Sequence, residues 1–164
     1  MFDTRLHTKQ LSQHKLHEEI ITALDVRGND IITASPDSTI KVTNIQEEGT
    51  NLGDSGRDST PDKETSSPSC PEKETASLPR YTAETTHSIA LKCKGASKVK
   101  VRHDGKLFAA AGWDGGLRLY GCKKYNLLAL TPAHDPESIS DMILYDNHIV
   151  CSGRDRKISF WTFY

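Results

Sequence analysis

The sequence predicts an all-β fold of short, four-stranded antiparallel units, and three observations carry that expectation. Apolar residues come in runs of about five to seven, alternating or β-branched, and bounded by Gly, Asp and Asn turns. One pattern of buried strand, small residue, turn aspartate and alternating strand recurs three times. No stretch sustains helical periodicity. The one candidate, residues 12–24, carries a β-branched run and loses its polar face after Glu19.

Taken in order, the predicted strands are residues 20–26, 30–35 and 39–45, with Arg27-Gly28-Asn29 as the first turn. After a polar segment come 98–102, 107–111 and 117–120. The last four are 127–131, 139–144, 148–152 and 158–163. Between them, residues 46–86 are expected to be a disordered, acidic insertion. No aromatic residue lies between Gln46 and Arg80, and Ser, Thr and Pro abound, so little apolar area is there to offset backbone ordering. The segment contains an internal echo, residues 61–65 against 71–75. It also contains candidate phosphorylation sites: Thr60 and Ser67 precede prolines, while Ser55 and Ser59 each have an acidic residue three positions on. Residues 54–59 have the spacing of a phosphodegron.

Composition excludes several function classes. The 164-residue chain has 21 basic and 22 acidic side chains, a formal net charge of -1. A nucleic-acid or membrane-surface binder would show a basic excess. The four cysteines, Cys70, Cys93, Cys122 and Cys151, are widely separated and form no metal-ligand spacing. The first 13 residues lack an apolar core, and no run approaches ~20 apolar residues. The expectation is an intracellular protein, cytoplasmic or nuclear, with reduced thiols, no metal and no cofactor.

The three repeats are residues 31–42, 108–119 and 149–160, with turn aspartates Asp37, Asp114 and Asp155. Each aspartate follows a small-residue step, and an alternating strand begins three residues later. The third strand ends on Trp161, where the second has Tyr120. This pattern resembles the WD40 repeat, whose period is ~40–45 residues with four strands per β-propeller blade. Asp114 and Asp155 are 41 residues apart. Asp37 and Asp114 are 77 apart, one period plus roughly the polar insertion, so the insertion interrupts a blade. In such a turn the aspartate can accept bonds from turn amides and pair with a histidine of the preceding loop. His17 and His134 stand in that place, and Ser152 and Trp161 are expected to join the network. The second repeat has Lys94-Gly95-Ala96 instead and is expected to be incomplete. No nucleophile motif accompanies the Asp–His pairs, so no catalytic residue is assigned.

Phe2-Asp3 resembles the end of an earlier third strand, with residues 9–12 as the fourth. The expected domain plan is thus residues 1–45 as the end of one blade plus three strands of the next, residues 46–86 as the insertion, and residues 87–164 as the remaining strand and two final blades. The chain stops three residues after Trp161, directly after a third strand. About three blades fall short of the ~4–8 that close a ring. The expectation is a partial, open WD40 propeller: a fragment of a larger one, or a chain whose edges a partner covers.

From Val99 onward the resemblance is more specific. An Arg102-x-Asp104-x-Lys106 arrangement, reading Arg-His-Asp-Gly-Lys, is followed by Ala111-Gly112-Trp113-Asp114, with Arg118 in the next strand, and by Arg154-Asp155-Arg156-Lys157-Ile158-Ser159-Phe160-Trp161. These residues are similar to the last two blades of the G-protein β-subunit-like, ASTRA-associated WD-repeat family. The resemblance covers about 65 residues well and the first repeat loosely. It implies a non-catalytic protein adaptor, linked to co-chaperones that mature phosphatidylinositol-3-kinase-related kinases or to chromatin assemblies, with no nucleic-acid, membrane or small-molecule partner. A G-protein-β-like signalling adaptor and a histone-binding protein are the alternatives, although no heptads of a G-protein β coiled coil appear.

Residues just before each turn aspartate, Pro36, Trp113 and Arg154, are expected on one rim. Exposed Trp and Arg are enriched at interface hot spots, so Trp113, Arg154 and Arg156 are the candidate partner rim. The competing reading packs Trp113 against a neighbouring blade.

Overall fold

A computed structural model describes residues 10–48 and 80–164. The described residues contain eleven strands and no helix. The first sheet is β1 (Ala23–Arg27), β2 (Asp30–Ser35), β3 (Thr39–Glu48) and β4 (Arg80–Ala90), hydrogen-bonded in that order. The second is β5 (Ala96–Val101), β6 (Leu107–Gly112), β7 (Gly116–Gly121) and β8 (Leu127–Pro132). The third holds β9 (Ile139–Tyr145), β10 (His148–Gly153) and β11 (Ile158–Thr162). Every pairing is antiparallel. The three open sheets are consecutive blades of a partial propeller, the third with three strands among the described residues.

The period-2 pattern gives each blade two faces, and two cores form where faces of successive blades meet. Ile32, Ala34, Ile40 and Val42 of the first blade pack on Val99, Phe108 and Tyr120 of the second. The Phe108 and Tyr120 rings stack at 5.0 Å. Ala109, Ala111 and Leu117 of the second blade pack on Met142, Ile149 and Cys151 of the third. Asp25 of β1 adds an inter-blade bond, accepting from the Val101 amide at 2.8 Å.

A polar latch recurs beside each core. Thr22 Oγ1 donates to Ala34 O at 3.1 Å in its own blade and to Ala96 O at 2.6 Å in the next. Ser97 Oγ does the same, to Ala111 O at 3.2 Å and Ile139 O at 2.5 Å. Ser97 sits where the β5 register shifts, so the extra residue turns its hydroxyl toward the next blade.

Several boundaries differ from the sequence expectation. Residues 46–48 and 80–86, assigned there to the disordered insertion, are paired strand, from Gln46↔Thr82 to Glu48↔Arg80. Their composition is polar, and β4 is an outer strand held to β3 by backbone pairing. Backbone groups along the edge of β3 still require partners, and the Thr-rich run supplies them. The first strand begins at Ala23, not residue 20, leaving Ile20 and Ile21 exposed. Residues 10–12, expected as a fourth strand, have no strand pairing. Residues 1–9 and 49–79 lie outside the described residues, and with them the Phe2-Asp3 motif and Ser55, Ser59, Thr60 and Ser67.

Candidate functional site: the turn-aspartate networks and their rim

The three turn aspartates sit in equivalent two-strand turns but find different partners. In the first blade, Asp37 Oδ1 accepts from the Thr39 amide at 3.0 Å and the Thr39 hydroxyl at 2.6 Å. Its other oxygen lies 2.8 Å from His17 Nδ1, and His17 Nε2 lies 2.8 Å from Thr33 Oγ1. A carboxylate can only accept, so with a neutral ring Nδ1 donates to Asp37 and Nε2 accepts from the threonine hydroxyl. His17 is buried. Burial opposes ionisation of Asp37, but the bonds from Thr39 and His17 outweigh it and hold the carboxyl down at about 2.

In the third blade, His134 Nδ1 lies 2.9 Å from Asp155 Oδ1. Its Nε2 is 2.9 Å from Ser159 Oγ, which in turn accepts from Trp161 Nε1 at 2.9 Å. Ser152, expected in this network, takes no part in it; Ser159 does. The His ring therefore reaches strand β10's neighbour β11, because Cys151 stands where the first blade has Thr33. Burial opposes ionisation of Asp155 as well, and the His134 bond again wins, keeping its carboxyl below the usual range.

In the second blade no loop histidine reaches the aspartate, and an arginine of the blade itself takes that place. Arg118 of β7 forks onto Asp114, with Nη1 to Oδ1 at 3.0 Å and Nη2 to Oδ2 at 2.5 Å. Arg118 is 5% exposed, and Nη1 also donates to Gly116 O at 3.2 Å. The Arg118 bond is the main cause holding the Asp114 carboxyl below its ordinary value, against burial. A cation inside the blade thus replaces a histidine from the loop. A signal was available: the position four residues after each aspartate is Lys41, Arg118 or Ser159, polar each time between two apolar neighbours. Lys41 uses it differently, donating from Nζ to Leu16 O at 2.7 Å.

Close packing around these networks explains two glycines. A Cβ on Gly112 would collide with Asp114 Oδ1 and Arg118 Nη1; one on Gly153 would collide with His134 Nδ1 and Asp155 Oδ1.

The rim residues separate into two groups. Trp113 is 39% exposed, and with Arg154, Ser97, Ser138, Ile139 and Ser140 it lines a hollow of about 530 Å³ between the second and third blades. Arg154 is exposed and makes no ion pair among the described residues; its amide donates to Ser138 O at 3.0 Å. Arg156 is exposed at a positive φ of 65° in the same turn, outside that hollow. Pro36 is half-buried against the Gly95 backbone and does not share the hollow. Among the described residues, no His, Cys, Asp and Glu cluster has metal-holding geometry, and no helix is long and apolar enough to cross a membrane. Cys93, Cys122 and Cys151 are free thiols, and burial pushes the Cys151 thiol up to about 11.

Blades joined face to face, each pinned by a turn aspartate and its buried cation or imidazole, define a WD-repeat propeller arc. Comparison with known proteins agrees. The chain is 34% identical over 82 residues to "ASTRA-associated protein 1" of Schizosaccharomyces pombe, covering 48% of this chain and 22% of that protein. It is 47% identical over 47 residues to the Aspergillus niger protein of the same name, covering 29% of this chain and 11% of that one. It is 29% identical over 70 residues to mouse "Guanine nucleotide-binding protein subunit beta-like protein 1", covering 43% of this chain and 22% of that one. No protein-family model matches the chain. The matched stretches span about a fifth or less of these three relatives. Over these stretches the chain is similar to the ASTRA-associated and G-protein-β-like proteins.

Proposed function

We propose that this chain is a non-catalytic scaffold that binds another protein through the Trp113–Arg154 rim, as a subunit of an assembly of the ASTRA kind. The observation that carries this reading is the hollow in which an exposed tryptophan and an exposed guanidinium converge, the residue types that dominate interface energetics. The relatives' names support membership of a complex. The finer reading places that assembly in the maturation of phosphatidylinositol-3-kinase-related kinases or on chromatin, and the protein in the cytoplasm or nucleus.

An enzymatic reading has one geometric point in its favour. Asp155–His134–Ser159 and Asp37–His17–Thr33 have the connectivity of a hydrolase triad. The hydroxyls are wrongly placed for it: Thr33 is 2% exposed, and Ser159 is engaged by the Trp161 indole. These triads hold turns together.

The test is affinity purification with the wild-type chain and with Trp113→Ala and Arg154→Ala. Loss of the same partners by both variants, with an unchanged far-ultraviolet circular dichroism spectrum, is the expected result. Partners retained in full by both would sink the rim reading. Kinase co-chaperones, G-protein γ-type subunits and histones are distinguishable catches.

A further inference from the structure

The first strands of the three sheets, β1, β5 and β9, approach one another on the inside of the arc. That makes β4 and β8 the outermost strands of the first two blades. Blades that meet along their inner strands splay apart toward their outer ones. Between β4 and β8 this leaves a groove of about 190 Å³, lined by Ile89, Leu91, Tyr120, Tyr125, Leu127 and Leu130.

The two walls differ in a way that the fold does not require. β4 carries Glu84, His87 and the hydroxyls of Thr82, Thr85, Thr86 and Ser88. β8 stands in the same outer place yet has no charged side chain, and its Leu127, Leu128 and Leu130 are 49%, 57% and 53% exposed. Outer strands are ordinarily protected by charges, because a free row of amides and carbonyls pairs with any strand that reaches it. Among the described residues β8 pairs with β7 on one side and with nothing on the other. Pro132 closes the strand, which leaves residues 127–131 for pairing. A bare edge beside three exposed leucines marks a surface that another chain covers.

Charge says what kind of segment fits. The chain has 22 acidic side chains, but none from Thr85 to His103 or from Gly115 to His134, the two stretches that supply the walls. Lys92 lines one end of the groove, and Lys123 and Lys124 precede Tyr125 at the other. All three lysines are exposed, and none forms an ion pair among the described residues. Arg118, the remaining cation of the lining, is neutralised by Asp114. Asp30 of the first blade is held by Asn44 at 2.8 Å and Arg27 at 3.7 Å. The groove is therefore apolar along its length and positive at both ends.

We propose that the groove between β4 and β8 docks an extended segment of another protein, apolar at alternate positions and acidic at its ends. The segment adds to β8 as a fifth strand of the second blade. Its backbone takes up the free edge, and alternate side chains seat between Ile89, Leu127 and Leu130. Its carboxylates meet Lys92 at one end and Lys123 and Lys124 at the other. Backbone pairing gives such a site affinity, while the groove and the lysines select the sequence. A helix laid in the groove would leave the edge unpaired. The site is separate from the Trp113–Arg154 rim, which shares none of its lining.

The experiment is selection of a phage-displayed random peptide library on the chain, followed by fluorescence anisotropy of the enriched peptides. The expected sequences alternate apolar with small polar residues between acidic ends. Leu130→Lys, at an exposed position, is expected to weaken their binding about tenfold, the loss of one seated apolar side chain. Lys124→Glu is expected to weaken it and to flatten its salt dependence. Lys157→Glu, the same change in the third blade, should leave it at the wild-type value. Circular dichroism confirms folding, and Leu127→Lys repeats the test at a second lining position. A selection that yields no binder overturns the proposal. So do peptides with basic ends, or peptides whose affinity is unchanged by either Leu130→Lys or Lys124→Glu. A wild type that sediments as a dimer, with a monomeric Leu130→Lys chain, overturns it too, because a second copy then covers β8.

Discussion

Asp114 and Arg118 form a forked ion pair in which the cation is almost fully enclosed while the carboxylate keeps solvent contact, its side chain 40% exposed. That asymmetry sets what each change costs. Arg118→Met strands the carboxylate with only turn amides and is expected to cost about 1–3 kcal/mol, discounted for the exposure of Asp114. Arg118→Lys should recover only part of this, because a point charge cannot fork onto both oxygens. Urea unfolding of the three chains checks both expectations. Asp37 carries a pH signature. Its native carboxyl titrates at about 2, below its ordinary 3.8, so the unfolded state binds more protons in that interval. Its contribution is complete above about pH 4 and is lost as pH falls toward 2. Asp37→Asn should be less stable at neutral pH and show a shallower loss of stability across that window. Asp155 and Asp114 are shifted the same way, so the acid limb should be reduced, not abolished.

At the scale of a turn and its two strands, Gly112 and Gly153 are required by what surrounds them. Gly153→Ala pushes a methyl into the His134–Asp155 contact and is expected to cost about 1–3 kcal/mol. Gly28→Ala, at a φ of 56° with nothing within 4 Å of the added carbon, should cost about 1 kcal/mol, from backbone conformation alone. Thermal melts of the two variants compare crowding with strain directly. The same elements show what a sequence reader can and cannot see. Strand β2 was legible to the residue, because its short buried run is bounded sharply by Gly28-Asn29 and Pro36. Strand β4 was not, because its first seven residues are mostly polar and are held to β3 by backbone pairing, whereas the outer strand β8 carries three leucines. The histidines were legible from loop position. Arg118 and Ser159 were missed because each stands four residues after its aspartate, inside the strand and not in the loop that holds the histidines, and the choice between Ser152 and Ser159 depends on which face of the blade the ring meets.

At the scale of the whole molecule, the described residues of each blade pack on the neighbouring blade, as in other repeat architectures. Ser97 ties the third blade to the second through a single hydroxyl. Ser97→Ala is expected to remove about 1 kcal/mol and to speed amide exchange in β9, β10 and β11, leaving β2 and β3 at wild-type rates. Uniform acceleration throughout would contradict a local latch. The ladder between β3 and β4 has a wider consequence. It contains ten residue pairs, against five between β7 and β8, and it joins strands separated by residues 49–79. The entropy of closing a chain loop grows only logarithmically, about 0.6 kcal/mol for each doubling of length. A ladder this long can therefore anchor connections of very different lengths at almost the same stability. The tip of the first blade is a permissive port, where a reporter or a second domain can be inserted while the networks at the opposite end of the strands stay in register.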